Sequence, residues 1–258
     1  MKWIDVHTHF NMLEAAPDEV IKVAALNQVE RFITIGTGVD DHPKIIELIE
    51  KYNPQIYGAL GFHPHDAKDF NPENFKFMRA HLNNPRIVAV GEIGLDYYYN
   101  HSDQSVQRET FRAQMQIAEE FDLPVEIHTR DAEADTVAIL KEFEGRVKGL
   151  LHCFTGTQWL ADQALELGYN ISISGVVTFK NADVLKAVVK SIPIDRLHIE
   201  TDAPFLTPVP FRGKKNQPSL MIHTGEVVAG LKNVLVSELA RVTSQNAMKL
   251  FHRLKWDL

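Results

Sequence analysis

The chain has 258 residues, 45% hydrophobic and 24% charged, which is the composition of a globular protein and the length of one (β/α) barrel of about 250 residues. Acidic residues outnumber basic ones 34 to 27, for a net charge of -7. No global basic field gathers nucleic acid, so a phosphate-bearing substrate needs local cations. A single cysteine, Cys153, excludes an intrachain disulfide framework, and no apolar run approaches the roughly 20 residues of a membrane span.

The opening residues K-W-I-D-V-H-T-H-F read as a short strand whose alternation puts His7 and His9 on one face, a pair suited to one metal ion. The chain moves into that strand without a basic region, an apolar region and a cleavage site, so a cytoplasmic location is expected. A helix over 17–29 follows, then a buried strand over 31–36. The pattern repeats as helix 43–52 and strand 55–61, helix 72–82 and strand 86–92, helix 104–121 and strand 124–128. Helix 132–143 leads to strand 147–153, helix 159–167 to strand 170–174, and helix 182–191 to strand 196–201. Two more helices, near 224–231 and 237–254, close the chain.

Eight short apolar runs separated by amphipathic helices predict parallel strands joined by crossovers, closed as a single-domain (β/α)8 TIM barrel over residues 1–258. A doubly wound open sheet is the alternative. Polar residues gather at the predicted C-terminal strand ends: His7 and His9, His63 and His65, Glu92, His128 with Arg130 and Asp131, His152, and Asp202. In a parallel barrel these ends meet on one face, where loops build the active site. A polar terminus on six of eight strands has no packing rationale.

His7, His9, His128 and His152 with Glu92 and Asp202 form a mixed nitrogen and oxygen set suited to divalent ions. Six ligands exceed one open tetrahedral site. They suit two ions roughly 3.5 to 4 Å apart sharing a carboxylate, for which Glu92 is the expected bridge, an arrangement that serves phosphate-ester hydrolysis.

Six separated motifs, D-V-H-T-H from Asp5, G-F-H-P-H from Gly61, G-E-I-G-L-D from Gly91, I-H-T-R from Ile127, H-C-F-T-G from His152 and E-T-D-A-P from Glu200, make the sequence resemble the TatD family of metal-dependent deoxyribonucleases over essentially the whole chain. A loop R-G-K-K-N-Q-P from Arg212 resembles the family's basic substrate-side segment. The resemblance implies the same six residues as ligands of a dinuclear centre, with Mg²⁺ in function and Zn²⁺, Mn²⁺ or Ni²⁺ as other occupants. It further implies exonucleolytic cleavage of DNA, single-stranded or accessible at an end, with no membrane and no obligate protein partner.

On this reading Asp202 and Glu92 are catalytic, Asp202 accepting the proton of the attacking water, and His63, His65, Arg130, Arg212 and Lys214 contact substrate. His65 is also a candidate cap of the next helix. Cys153 is expected to alternate away from the site as a core thiol, and Tyr97, Tyr98 and Tyr99 serve either base stacking or packing. The run Tyr97 to Tyr99 continues into N-H-S-D, a departure from the family pattern that leaves substrate preference there open. The rival chemistry is hydrolysis of small phosphoesters, amides or lactones on the same barrel. For amides and lactones the bridge is commonly a carboxylated lysine, and no lysine ends the fourth or fifth strand.

Overall fold

The structure, a computed structural model, describes residues 2–256. Eight strands follow in order: β1 (Trp3–Thr8), β2 (Val29–Gly36), β3 (Ile56–Leu60), β4 (Ile87–Asp96), β5 (Val125–Arg130), β6 (Gly149–Leu151), β7 (Asn170–Ile173) and β8 (Leu197–Ile199). The helices between them are α1 (Pro17–Leu26), α2 (His42–Lys51), α3 (Pro72–His81), α4 (Gln104–Glu120), α5 (Glu133–Glu142), α6 (Gln158–Glu166) and α7 (Asp183–Ser191), and α8 (Met221–Lys232) and α9 (Val236–Leu250) follow the last strand. No helix among the described residues is long and apolar enough to cross a membrane.

Local chemistry sets these boundaries. Pro17 starts α1 with Asp18 and Glu19 in its first turn, where an unneeded N–H is absent and negative charge meets the positive helix end. Asn71 caps α3 by accepting from the amides of Glu73 and Asn74, each at 3.0 Å. Along α4, Phe111, Met115 and Ala118 recur at helical spacing and are fully buried, the stripe that seats a crossover helix on a sheet.

Each strand pairs in parallel with its sequence neighbour from β1 to β8, and side-chain and backbone bonds draw β8 to β1. Thr201 donates from its amide and hydroxyl to the two oxygens of Asp5, at 2.9 and 2.5 Å. The amides of His9 and Asp202 donate to Ala203 and His7 carbonyls across the same gap, at 2.8 and 2.9 Å. The result is a nearly closed eight-stranded barrel, so the open sheet is excluded. One side of the strands packs under the helices through residues such as Phe32, Ile45 and Ile49. On the other, Ile4, Val6, Ile33, Ile35 and Ala59 join Phe251 of the C-terminal segment.

All eight strands differ from the predicted ranges by a residue or more, and three of the C-terminal ends differ for a backbone reason. β4 runs on to Asp96 because residues 93–96 resume pairing with 127–130 after a register shift beyond Val90. The sixth and eighth strands stop early, since Cys153 and Asp202 take left-handed backbone at φ 41° and 55°, which an extended ladder cannot accommodate.

Candidate metal centre and active-site cleft

Glu92 stands in the register shift of β4, a bulge of the kind that re-aims side chains beside active sites. Its Oε1 lies 2.7 Å from His152 Nε2, 3.0 Å from His128 Nδ1 and 3.3 Å from His63 Nε2. Its Oε2 lies 3.6 Å from His7 Nε2. Asp202 Oδ1 is 3.4 Å from His9 Nε2 and 3.9 Å from His7 Nε2. The six residues expected as ligands therefore lie together, though they stand separately on or just beyond the C-terminal ends of β1, β4, β5, β6 and β8.

Three sets of donor atoms are each close enough to hold one ion: His7, Glu92 and His152; His7, His9 and Asp202; and His63, Glu92 and His128. Glu92 belongs to two sets, as does His7. His63, expected at the substrate, instead approaches Glu92 as closely as the ligand candidates do.

Glycines permit this crowding. A Cβ at Gly94, where φ is +133°, would fall 2.0 Å from the carbonyl oxygen of His128, so only glycine lets β4 pass close enough to bring Glu92 and His128 together. At Gly61 a Cβ would meet the Gly91 carbonyl carbon at 2.7 Å, which fixes β3 against the backbone of Glu92.

Behind the imidazoles stand carboxylates that the sequence reading passed over. Glu126 Oε2 lies 2.6 Å from His7 Nδ1, and both side chains are fully buried. Glu200 Oε1 is 3.4 Å from His152 Nδ1 and accepts the Cys153 amide at 2.6 Å. Asp96 Oδ2 is 3.1 Å from both His128 Nε2 and His65 Nε2. A carboxylate on the far nitrogen fixes a histidine's tautomer and aims its near nitrogen inward, the usual support of a metal ligand.

The electrostatics fit cations. Burial opposes ionisation of Glu92, yet the facing His152 and His63 hold its carboxyl well below the ordinary range. Burial likewise opposes ionisation of Asp202, and His9, His152 and His7 outweigh it. Burial and the neighbouring His152 push His7 down, but its hydrogen bond to Glu126 and the facing Glu92 carboxylate lift it to about 10. Burial alone dominates at His63, pushed down to about 4. Five buried carboxylates, Glu92, Asp96, Glu126, Glu200 and Asp202, call for positive charge, which divalent ions would supply with the imidazoles coordinating in their neutral form. Moreover, His7 Nε2 and both ring nitrogens of His152 are buried without a hydrogen-bond partner. Unpaired lone pairs beside excess negative charge suit divalent metal ions.

Above this cluster opens a cleft of about 630 Å³ lined by Glu92, His63, His65, Asp202, Tyr99 and Phe205, among others. Arg130 also borders it. Arg212 lies one layer out, its guanidinium 3.9 Å from the ring of Phe179, and Lys214 rests 5.6 Å from the ring of Phe211.

Two expectations need correction. His63, not His65, caps the short turn over Pro64–Asp69, accepting the His65 amide at 3.1 Å; the turn begins one residue before His65, which is free to reach Asp96. Cys153 lines the cleft with its sulfur 3.1 Å from Ser174 Oγ, because its left-handed backbone breaks the alternation that would turn it away. The tyrosines divide: Tyr97 is anchored, its hydroxyl donating to Asp135 at 2.6 Å, whereas Tyr98 and Tyr99 are exposed at the rim.

A family model described as TatD related DNase matches residues 4–252. The chain is 44% identical to an uncharacterized metal-dependent hydrolase YabD of Bacillus subtilis, over 96% of this chain and 98% of that one. It is 34% identical to a 3'-5' ssDNA/RNA exonuclease TatD of Erwinia tasmaniensis, covering 91% and 93%. Its fold superposes on the crystal structure of the TatD homologue YJJV of Escherichia coli with a TM-score of 0.91 at 29% identity, covering 97% and 98%. With the barrel, the convergent donors and these matches in hand, the chain belongs to the TatD family of metal-dependent hydrolases.

Proposed function

We propose that this hydrolase cleaves phosphodiester bonds at the ends of DNA, acting in the cytoplasm as an exodeoxyribonuclease on single-stranded or end-accessible substrate. The observation that carries the reading is the convergence of His7, His9, Glu92, His128, His152 and Asp202 beneath one cleft. The donor set would hold two divalent ions, Glu92 being common to two of the donor groups, with Mg²⁺ in function and Zn²⁺, Mn²⁺ or Ni²⁺ as alternatives. When bound, two such ions supply Lewis acidity that lowers the pKa of water and neutralises the charge developing on phosphorus.

The chain's own residues do the rest. Asp202, held ionised beside the cleft, takes the proton of the attacking water. Glu126 and Asp96 fix the ring orientations of His7 and His128, and Glu200 stands 3.4 Å behind His152, so that the donor atoms do not reorganise during reaction. His63 and His65 line the cleft side by side, placed to contact substrate next to Glu92. Arg130, Arg212 and Lys214 supply local positive charge to a protein whose net charge is -7.

End-labelled single-stranded DNA incubated with the protein and Mg²⁺ or Mn²⁺, beside a chelator control and Glu92→Gln, tests this. A ladder of shortened products lost in both controls is the expected result, and its direction gives the polarity. Absence of cleavage by folded, metal-loaded protein would overturn the nuclease reading and move the search to small phosphoesters, then amides and lactones.

A further inference from the structure

Arg130 differs from every other arginine among the described residues. Five arginines pair with carboxylates, and five donate to backbone or amide oxygens. The Arg130 guanidinium makes neither kind of contact. It is held instead by aromatic rings, its central carbon 4.0 Å from the centre of Tyr98 and 4.8 Å from that of Tyr99.

Those two rings stand nearly perpendicular, 4.9 Å apart at 89°, so the cation sits in a corner. Neither ring is core: Tyr98 is 59% and Tyr99 50% exposed, while the barrel buries Tyr57 and Tyr169. The corner is nonetheless fixed. Tyr97 is tied to Asp135, and the Tyr99 amide donates at 2.8 Å to Asp96, the carboxylate that also meets His128.

Position gives the corner a use. Arg130 follows His128 by two residues on β5, on the same strand face and roughly 6.6 Å further along, and Tyr99 lines the cleft with Glu92. A guanidinium with its donors free suits a phosphate, and an exposed ring suits the face of a base.

We propose that Tyr98, Tyr99 and Arg130 form a nucleotide subsite beside the scissile bond, the tyrosines stacking an unpaired base and Arg130 holding its phosphate. The proposal rests on the phosphodiesterase reading above and adds to it the residues through which a single strand is gripped: two rings for a base and one guanidinium for its phosphate. A base inside a duplex has no free face to offer.

The test compares pentathymidylate with pentamers carrying one abasic nucleotide at each position in turn, each read as a ratio within one protein variant. KM is measured with the metal-loaded enzyme, and calorimetric titration of the same oligonucleotides reports binding. In the wild type, one abasic position is expected to weaken KM and affinity by roughly 5- to 150-fold, the range for one stacked base. Tyr98→Ala with Tyr99→Ala should bring that ratio close to one, Tyr98→Phe should keep it, and Arg130→Met should weaken all pentamers and flatten the salt dependence. Cleavage indifferent to every abasic position, or a ratio that survives in the double alanine variant, overturns the subsite while leaving the nuclease reading intact. Base-dependent binding without cleavage overturns the nuclease reading and supports the subsite.

Discussion

Replacing Glu126 by glutamine should weaken metal binding although Glu126 is not itself placed as a ligand. Its Oε2 lies 2.6 Å from His7 Nδ1, with both side chains fully buried, and glutamine keeps the shape and one acceptor while removing the charge. Hydrogen bonds to charged groups contribute about 1.5–3 kcal/mol against about 0.5–1.5 for neutral ones, a loss of roughly 1–2 kcal/mol. The new amide group adds a cost, because Glu126 Oε1 has no partner, so whichever end faces away from His7 leaves a polar group unpaired. The sum predicts a fall in affinity of about tenfold, inside the roughly 10- to 100-fold range for residues supporting metal ligands. Competition of Zn²⁺ or Mn²⁺ between the protein and a chromogenic chelator gives the dissociation constant, with near-ultraviolet circular dichroism to establish that the variant is folded. A folded Glu126→Gln protein binding metal within twofold of wild type would refute the assigned role of the pair.

His198 supplies a pH dependence remote from the cleft. Burial, with the charge of Arg196 behind it, pushes this histidine down to about 3, so between about pH 3 and 6.5 the unfolded chain binds the extra proton. The resulting stability is fully present above about pH 6.5 and is lost as pH falls, by about 1.4 kcal/mol per unit. In His198→Gln the stability difference from wild type, read by urea unfolding, should therefore shrink by about 3 kcal/mol between pH 7 and pH 4.5; a pH-independent difference would contradict it. Gly94→Ala forces a Cβ against the His128 carbonyl at 2.0 Å in a left-handed backbone, which should cost about 3 kcal/mol or more and lower Tm by about 10 °C, measured by differential scanning calorimetry. An unchanged Tm would mean that β4 and β5 can separate at no cost.

The strand ends were readable because a polar residue closing an apolar run has few structural explanations, and six of them converged in the barrel. Of the supporting carboxylates, Glu126 was readable by the same alternation and was overlooked. Glu126 precedes His128 by two residues on β5, an even step along extended backbone, whereas Asp202, just beyond Glu200, is itself left-handed and Glu92 is set off from Asp96 by lying in a register shift. A charged residue at an even step along extended backbone from a candidate ligand is thus a signal for its support. Cys153 and the length of the eighth strand were not readable that way, because alternation presumes extended backbone and the chain turns left-handed at Cys153 and Asp202. The Arg130 corner lay beyond any periodicity, since it joins a loop after β4 to the end of β5 and shows itself only when the other arginines are seen to have oxygen partners.

Closure of the barrel and assembly of the centre draw on the same residues. Asp5 and Thr201, 196 positions apart, bind each other across the seam, and the ligand candidates His7 and Asp202 lie two residues beyond Asp5 and one beyond Thr201. Their backbones are bonded too, Asp202 amide to His7 carbonyl at 2.9 Å. Burial pushes the Asp5 carboxyl up to about 7 despite its bonds to Thr201, which marks the seam as an uncomfortable place for unbalanced charge. A cation shared by His7, His9 and Asp202 would join the first and last strands where the β ladder itself is weakest. Metal binding should on this argument stabilise the closed barrel by mass action, because closure of the fold and convergence of the candidate ligands rest on the same contacts.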